Sequence, residues 1–401
     1  MKNPRTFRVA ILVDTSTAWG RRLIGGVIGY CQKCGPWLIR LEDHGQNETF
    51  RVPRGWDGDG IVARVADRGL ARHLGATGLP VVNVSAIVLR GVDFPRVTYD
   101  ARTAGQLAAE YFLNRGFRHF AFVGDTPHQY LISRFEAFNE ALAKAGCFAR
   151  QYQASLTSGS QSHWMRQQRE LARWLLQQPK PLALFTWAMR QPGRIIEACM
   201  SAGLAIPEQV ALLGGDDDPV LYGACHPPVS GVIVPSHVVG HEAAALLDSL
   251  MQGKPPPKGP ILVKPTGIVT RQSTDVMAVE DGDVTAALQF IRQHASEPMQ
   301  VDDVLRAVAV SRSALERRFQ QILGRSVWAE LHRTRMDRAR SLLVETDMPI
   351  PHVADASGFG SPEYMSYVFK RATGLTPREY RKQGERKSWD GSESGKGSID
   401  D

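Results

Sequence analysis

Long apolar runs are missing from these 401 residues: the longest stretches are about 5 to 8 residues, far short of the ~20 that a membrane-spanning helix needs. The basic start, Met1 to Arg8, is not followed by the apolar core of an export signal, so a cytoplasmic protein is expected. Cysteine is scarce and odd in number, five residues at 31, 34, 147, 199 and 225, which does not suit a disulfide framework in so long a chain; reduced thiols are expected. GxSxG, HExxH and Walker signatures are absent, so nothing points to a hydrolase, a zinc protease or a phosphate-loop enzyme. No sign of charge dominates either. The 48 basic and 41 acidic side chains leave +7, which permits a polyanionic partner and makes the location of the charge decisive.

What is present has the balance of a globular chain, 43% hydrophobic and 22% charged, and the length predicts two to four domains at roughly 100 to 200 residues each. Phe7 to Val13 is an apolar run ending at Asp14, with a helix expected from about Arg21 to Cys31. Strand-like segments follow at 37–41, 60–63, 80–84, 119–124, 182–186 and 210–214. Helical ones are interleaved at 102–115, 133–145 and 193–201. Strands alternating with helices of 10 to 15 residues predict parallel α/β sheets, and two fit into about 270 residues.

Ligands of open α/β sheets bind beyond the carboxyl ends of the strands. Asp14, Asp125, Trp187 and Asp216 each follow an apolar run there, while Trp19 and Arg134 lie in the adjoining loop or at the start of the next helix. Carboxylates accept from vicinal hydroxyls, arginine donates to ring or hydroxyl oxygens, and indoles cover the apolar face of a pyranose, so this set suits a sugar. For each aspartate taken singly, capping the next helix remains the other use.

The character changes after Pro255-Pro-Pro257 and the acidic Glu280 to Asp283: from there on the chain reads as helix without strands. The expected division is an effector-binding part at 1–275, a linker at 276–283, a helical domain at 284–387 and a disordered Gly/Ser-rich tail at 388–401. The helical part repeats itself at a constant offset of 50 residues: Ser311 and Ser361, Phe319 and Phe369, Gly324 and Gly374, Ser326 and Thr376. In the first copy a short helix at 301–307, a turn at 308–310 and a helix capped by Ser311 have helix-turn-helix spacing. The second copy has its short helix at 350–356, its turn at Ser357-Gly-Phe359 and a helix capped by Ser361. Gly358 suits the second turn. Ala309 stands where glycine is usual in the first, so that turn is expected to be made without a positive φ.

Residues 311–382 hold 13 Lys or Arg against 8 Asp or Glu, so +5 of the chain's charge lies in the repeat. With Leu315, Phe319 and Leu323 inward, Ser313, Glu316 and Arg317 face out toward base edges, Arg317 suiting guanine O6 and N7 and Glu316 the N4 amine of cytosine. Glu363, Tyr364 and Tyr367 are the base-reading candidates of the second unit. Arg312, Arg318, Ser361, Lys370 and Arg371 are placed for phosphates, which supply affinity and register.

On these residues, 284–382 resembles the DNA-binding domain of the AraC family, two helix-turn-helix units joined by a long helix at about 327–344; Phe359 to Phe369 and Gly374-Leu-Thr-Pro-Arg-Glu-Tyr380 are the most specific stretches. Residues 7–275 resemble the effector domain of LacI-type regulators and periplasmic sugar-binding proteins, through the Asp14 strand end, Ser133-Arg-Phe-Glu-Ala-Phe138 and Gly203-Leu-Ala-Ile-Pro-Glu-Gln-Val-Ala-Leu-Leu-Gly214 leading to Asp216. The resemblance implies a two-lobed α/β effector domain followed by an all-α domain. It implies a transcription regulator that activates sugar-utilisation genes, a small sugar effector such as xylose or another pentose, RNA polymerase as a partner, and a homodimer. It also implies that Asp216 and Arg134 hold the sugar from one lobe and Asp14 and Trp19 from the other. Trp187 departs from the family, which commonly has Asp or Asn there; an indole removes a hydroxyl contact.

No catalytic residue, cofactor or metal is expected. Cys31-Gln-Lys-Cys34 lacks a second ligand pair for zinc and ends a helix instead of beginning one, so its cysteines read as packing residues, with a redox pair as the other option. Asp216-Asp-Asp218 lacks the spacing and glycine of a calcium loop. Two rival functions remain: a sugar-metabolising enzyme using Asp14 and Asp216 as acid and base, and a sugar-binding transport protein with an accessory helical domain.

Overall fold

The computed structural model describes residues 6–41, 50–52, 55–124, 128–153, 161–187, 191–278, 281–297 and 299–385. Asp125, part of the expected linker and the whole 388–401 tail lie outside them. The first lobe runs β1 (Phe7–Leu12), α1 (Ala18–Cys34), β2 (Trp37–Leu41), β3 (Gly60–Ala63), α2 (Arg68–Gly75), β4 (Val81–Asn83) and β5 (Val97–Tyr99). Its sheet is parallel in the order β2-β1-β3-β4. The second lobe runs α3 (Ala101–Leu113), β6 (His119–Val123), α4 (Gln129–Ala143), β7 (Ala149–Tyr152), α5 (Gln161–Leu176), β8 (Leu182–Thr186), α6 (Gln191–Ser201), β9 (Val210–Gly214), α7 (Pro219–Gly223) and β10 (Ser230–Val232). α8 (Ser236–Met251) then returns to the first lobe, β11 (Ile261–Val263) pairs with β5, and β12 (Ile268–Val269) closes the second sheet antiparallel, in the order β12-β10-β9-β8-β6-β7. The chain therefore passes between the lobes three times, near residues 100, 234 and 265. Among the described residues no helix is long and apolar enough to cross a membrane.

Close helix contacts fix the first lobe. A Cβ on Gly26 of α1 would lie 1.9 Å from the His237 carbonyl oxygen, and one on Gly240 of α8 1.9 Å from that of Leu23. These two helices touch backbone to backbone, so the segment that returns after β10 is locked onto the first lobe's core of Val9, Ile11, Leu23 and Val27. Helix starts fall earlier than the sequence suggests because polar side chains cap them: Thr17 accepts from Gly20 N–H, which puts Trp19 on the helix instead of in a loop, and Asp281 accepts from Val284 N–H. Arg134 lies in the second turn of α4, not at its start.

The helical part comprises α9 (Gly282–Gln293), α10 (Val301–Val308), α11 (Arg312–Leu323), α12 (Val327–Glu345), α13 (Ile350–Ala356), α14 (Pro362–Thr373) and α15 (Pro377–Glu385). The first unit closes its own core around Leu288, Val304, Leu315, Phe319 and Leu331. The second packs Val353, Met365, Phe369 and Tyr380 around Met336 and Ala339 of α12, and this core also takes in Ile233 and Val269 of the second lobe.

One expectation fails at the first turn. Ala309 adopts the left-handed conformation at φ 53°, so the turn is made with a positive φ and without a glycine. Gly358 has φ +75°, and a Cβ there would also lie 2.1 Å from the Ala295 carbonyl oxygen. A left-handed alanine carries ~1–2 kcal/mol of strain, whereas glycine loses about 0.4–1 kcal/mol through the entropy of its unfolded chain. Ala309→Gly is expected to stabilise the fold by about 0.5–1 kcal/mol, read as a higher midpoint in urea denaturation.

Candidate functional site

A cleft of about 350 Å³ opens between the lobes where the chain crosses, and Asp14, Trp19, Arg134, Trp187 and Asp216 all line it. Asp14 is 5% exposed; its Oδ1 accepts from the Ser16 N–H at 2.8 Å and hydroxyl at 2.6 Å, which fixes the carboxylate two residues past β1. Asp216 lies just after β9 and receives the Tyr222 hydroxyl at 2.7 Å. Burial pushes its carboxyl up to about 6, against the pull of Tyr222 and Arg134 toward the charged form. Arg134 is 2% exposed and donates to the Tyr99 hydroxyl and, at 3.3 Å, to the Trp187 carbonyl. Its Nε has no hydrogen-bond partner. Room for this guanidinium depends on Gly215, where a Cβ would lie 2.3 Å from Nη1; the Trp187 indole likewise occupies the space a Cβ on Gly124 would need.

Arg64, Ser85, Tyr99 and Tyr130, none of them expected from the sequence, also line the cleft. Arg64 follows β3 directly, and Ser85 lies two residues past β4 with its N–H on Asn83 Oδ1, so inspecting each strand end applied to both. Tyr99 ends a three-residue strand too short to register as a period-2 pattern. The cleft thus combines two carboxylates, two arginines, hydroxyls and two indoles, with burial restricting water. That inventory has the chemistry to suit a neutral polyol; the described residues contain no group of three or more His, Cys, Asp or Glu side chains able to hold a metal.

The second candidate surface is formed by α11 and α14. Ser313, Arg317, Glu363, Tyr364 and Tyr367 are exposed, as are Arg312, Lys370 and Arg371. Glu316 is placed differently from expectation: its Oε2 accepts from the Val327 N–H at 3.2 Å, so the carboxylate caps α12 and is not directed outward alone. Arg318 pairs with Asp283 and, at 3.5 Å, Asp281 at the start of α9, and Arg312 lies 3.5 Å from Asp302. Ser361 accepts from Tyr364 N–H at 3.0 Å, the role of a helix cap. Tyr364 is seated by an aromatic stack that the sequence did not suggest: Trp328 and His332 have ring centroids 4.0 Å apart, and His332 meets Tyr364 edge-on at 6.0 Å.

Three protein families match successive parts of this chain: the XylR N-terminal domain at 8–104, the periplasmic binding protein-like domain at 109–274 and a helix-turn-helix domain at 304–383. The xylose operon regulatory protein of Escherichia coli strain K12 is 29% identical over 381 residues, spanning 93% of this chain and 96% of that one. Its namesake from Haemophilus influenzae is 28% identical, over 94% and 98%. The solved structure of the xylose-binding transcription activator XylR superposes with a TM-score of 0.61 at 28% identity, covering 94% of this chain and 98% of that one. The regulator CcpA of Lactococcus lactis, at 20% identity and TM-score 0.53 over 68% of this chain, shares the effector fold. Over nearly its whole length the chain is therefore similar to XylR-type transcription regulators, with a periplasmic-binding-protein-like effector domain ahead of a DNA-binding helical domain of two helix-turn-helix units.

Proposed function

We propose that this chain binds xylose, or a closely related pentose, between its lobes and that the bound sugar sets the affinity of the helix-turn-helix units for an operator. The observation that carries this reading is the set of opposed polar groups, Asp14 from the first lobe and Arg134 with Asp216 from the second, across one small cleft. Its volume is near the lower end of the ~300–1,000 Å³ usual for small-ligand pockets, which suits a monosaccharide. Relatives named for xylose over nearly their whole length support the choice of sugar.

A sugar held by both lobes binds the closed arrangement more tightly than the open one. A coupling of about 1–3 kcal/mol changes operator affinity roughly 5- to 150-fold. Arg22 of α1 reaches across to the Asp217 carbonyl at 3.1 Å, a direct contact between the two lobes. For base reading, Ser313 and Arg317 of the first unit and Glu363, Tyr364 and Tyr367 of the second are the exposed set. Lys370 and Arg371 take phosphates, and Arg312, Arg318 and Ser361 do so by giving up or sharing their present partners. The regulator acts in the cytoplasm as a homodimer that presents four helix-turn-helix units and activates through RNA polymerase.

Three measurements test this. Calorimetric titration with pentoses and hexoses should give saturable binding for xylose or a near relative, and Asp216→Asn should abolish it while operator binding without sugar persists. Protonation of Asp216 removes an acceptor, so the sugar affinity of the unaltered chain should fall as pH drops through about 6. The sign for stability is opposite: the native state takes up this proton at higher pH than the unfolded chain, so the burial penalty is relieved on acidification. In fluorescence anisotropy, Arg317→Ala should weaken operator binding by about 1–3 kcal/mol and relax preference at one base pair, with sugar affinity unchanged.

A further inference from the structure

A second cleft, of about 320 Å³, lies between the second lobe and the DNA-binding domain and shares no residue with the sugar cleft. Five arginines line it: Arg115 and Arg271 from the lobe, Arg292 from α9, Arg333 and Arg338 from α12. Two carboxylates, Asp275 and Asp337, and three hydroxyl side chains complete the wall. The acids are already used. Asp337 receives Arg333 at 2.6 Å, Arg340 at 3.2 Å and Arg115 at 3.6 Å, while Arg271 is held by Asp217 at 2.9 Å. Among the described residues Arg292 pairs only with Asp275, at 3.4 Å, and Arg338 has no carboxylate partner, its Nε donating to the Ala356 carbonyl at 2.6 Å.

Positive charge therefore exceeds negative at a partly desolvated junction. Burial draws the Arg292 guanidinium below its ordinary value; Asp275 opposes this, and Arg115 and Arg333 add to it. Such an excess is relieved by an anion, and guanidinium groups with hydroxyls between them match the oxygens of a phosphate. The cleft is not part of the reading surface. Glu330, Arg333 and Asp337 share the α12 stripe that faces the lobe, whereas Trp328 and His332 share the stripe against Tyr364.

We propose that this interdomain cleft is a second effector site, for a small phosphate-bearing anion that bridges the sugar-binding lobe and α12. Arg292 and Arg338 supply the uncommitted donors, and the bound anion ties the DNA-binding domain to the lobe. Ligand size is limited to inorganic phosphate or the phosphate ester of a monosaccharide.

The test uses the full chain. Inorganic phosphate and ribose 5-phosphate are titrated separately by calorimetry and thermal shift against sodium chloride at matched ionic strength, with and without operator DNA. Saturable binding of one or both is expected to persist on the operator complex, and the two arms say whether free phosphate suffices or the sugar ester is needed. Arg292→Gln, Arg338→Gln and the double variant should weaken it, the double variant by roughly tenfold or more, while xylose and operator affinities stay at wild-type values. Absence of saturable binding by both probes, binding displaced by operator, or binding undiminished in the folded variants would overturn the proposal. Loss of xylose response alone would leave it standing, since that tests the other cleft.

Discussion

The Asp217 carboxylate has no exposed surface, and two arginines hold it: Arg271 at 2.9 Å, just past β12, and Arg22 of the first lobe at 3.8 Å. An isolated carboxylate in that position would be untenable, and removing one partner of a buried ion pair costs about 3–5 kcal/mol. The relative placement of three parts of the molecule therefore depends on this one group. Asp216 before it lies in the sugar cleft, Asp218 after it caps α7 by accepting from Val220 and Leu221 N–H, and Arg271 opposite it borders the DNA-binding domain. Three consecutive aspartates thus have three different tasks, because a chain leaving a strand turns each successive side chain in a different direction.

Beyond Arg271 the contact continues as polar packing. Tyr111 and Arg115 both donate to the Thr270 hydroxyl, Arg115 reaches Asp337, and Arg333 joins Asp337 to Glu330. Burial opposes the charge on Glu330, yet Arg333 and Arg325 beside it keep its carboxyl below the ordinary range. Arg325 in turn donates to the Asn114 carbonyl at the end of α3. The long helix between the two reading units is thereby held to the effector lobe by charged groups along one stripe.

Much of this was legible in the residues. β8 and β9 stand where continuous apolar runs put them, because strands buried on both faces need no alternation. The 50-residue repeat located both reading helices, since Ser311 and Ser361 are caps whose side chains accept from the backbone three residues on. The five cleft residues were found by looking past strand ends. The return of α8 to the first lobe was not legible: it is decided by backbone contact at Gly26 and Gly240, and a pair of glycines 214 positions apart carries no periodic signal. Nor was the recruitment of Glu316 as a cap, which depends on where the next helix begins. Ala309 was misjudged because steric preference was taken as prohibition, while the packing of Val304 and Leu315 on either side outweighs a modest strain.

The two reading units are unequal in how they close their interiors. The first is complete in itself, whereas Ile233 and Val269 of the sugar-binding lobe are built into the second. Separating the two domains would remove Ile233 and Val269 from the core that contains Phe369 and Tyr380, while the core around Phe319 keeps its buried members. The carboxyl-terminal reader is in this sense a tenant of the domain that regulates it, and the duplication that produced two look-alike halves has left only one of them independent.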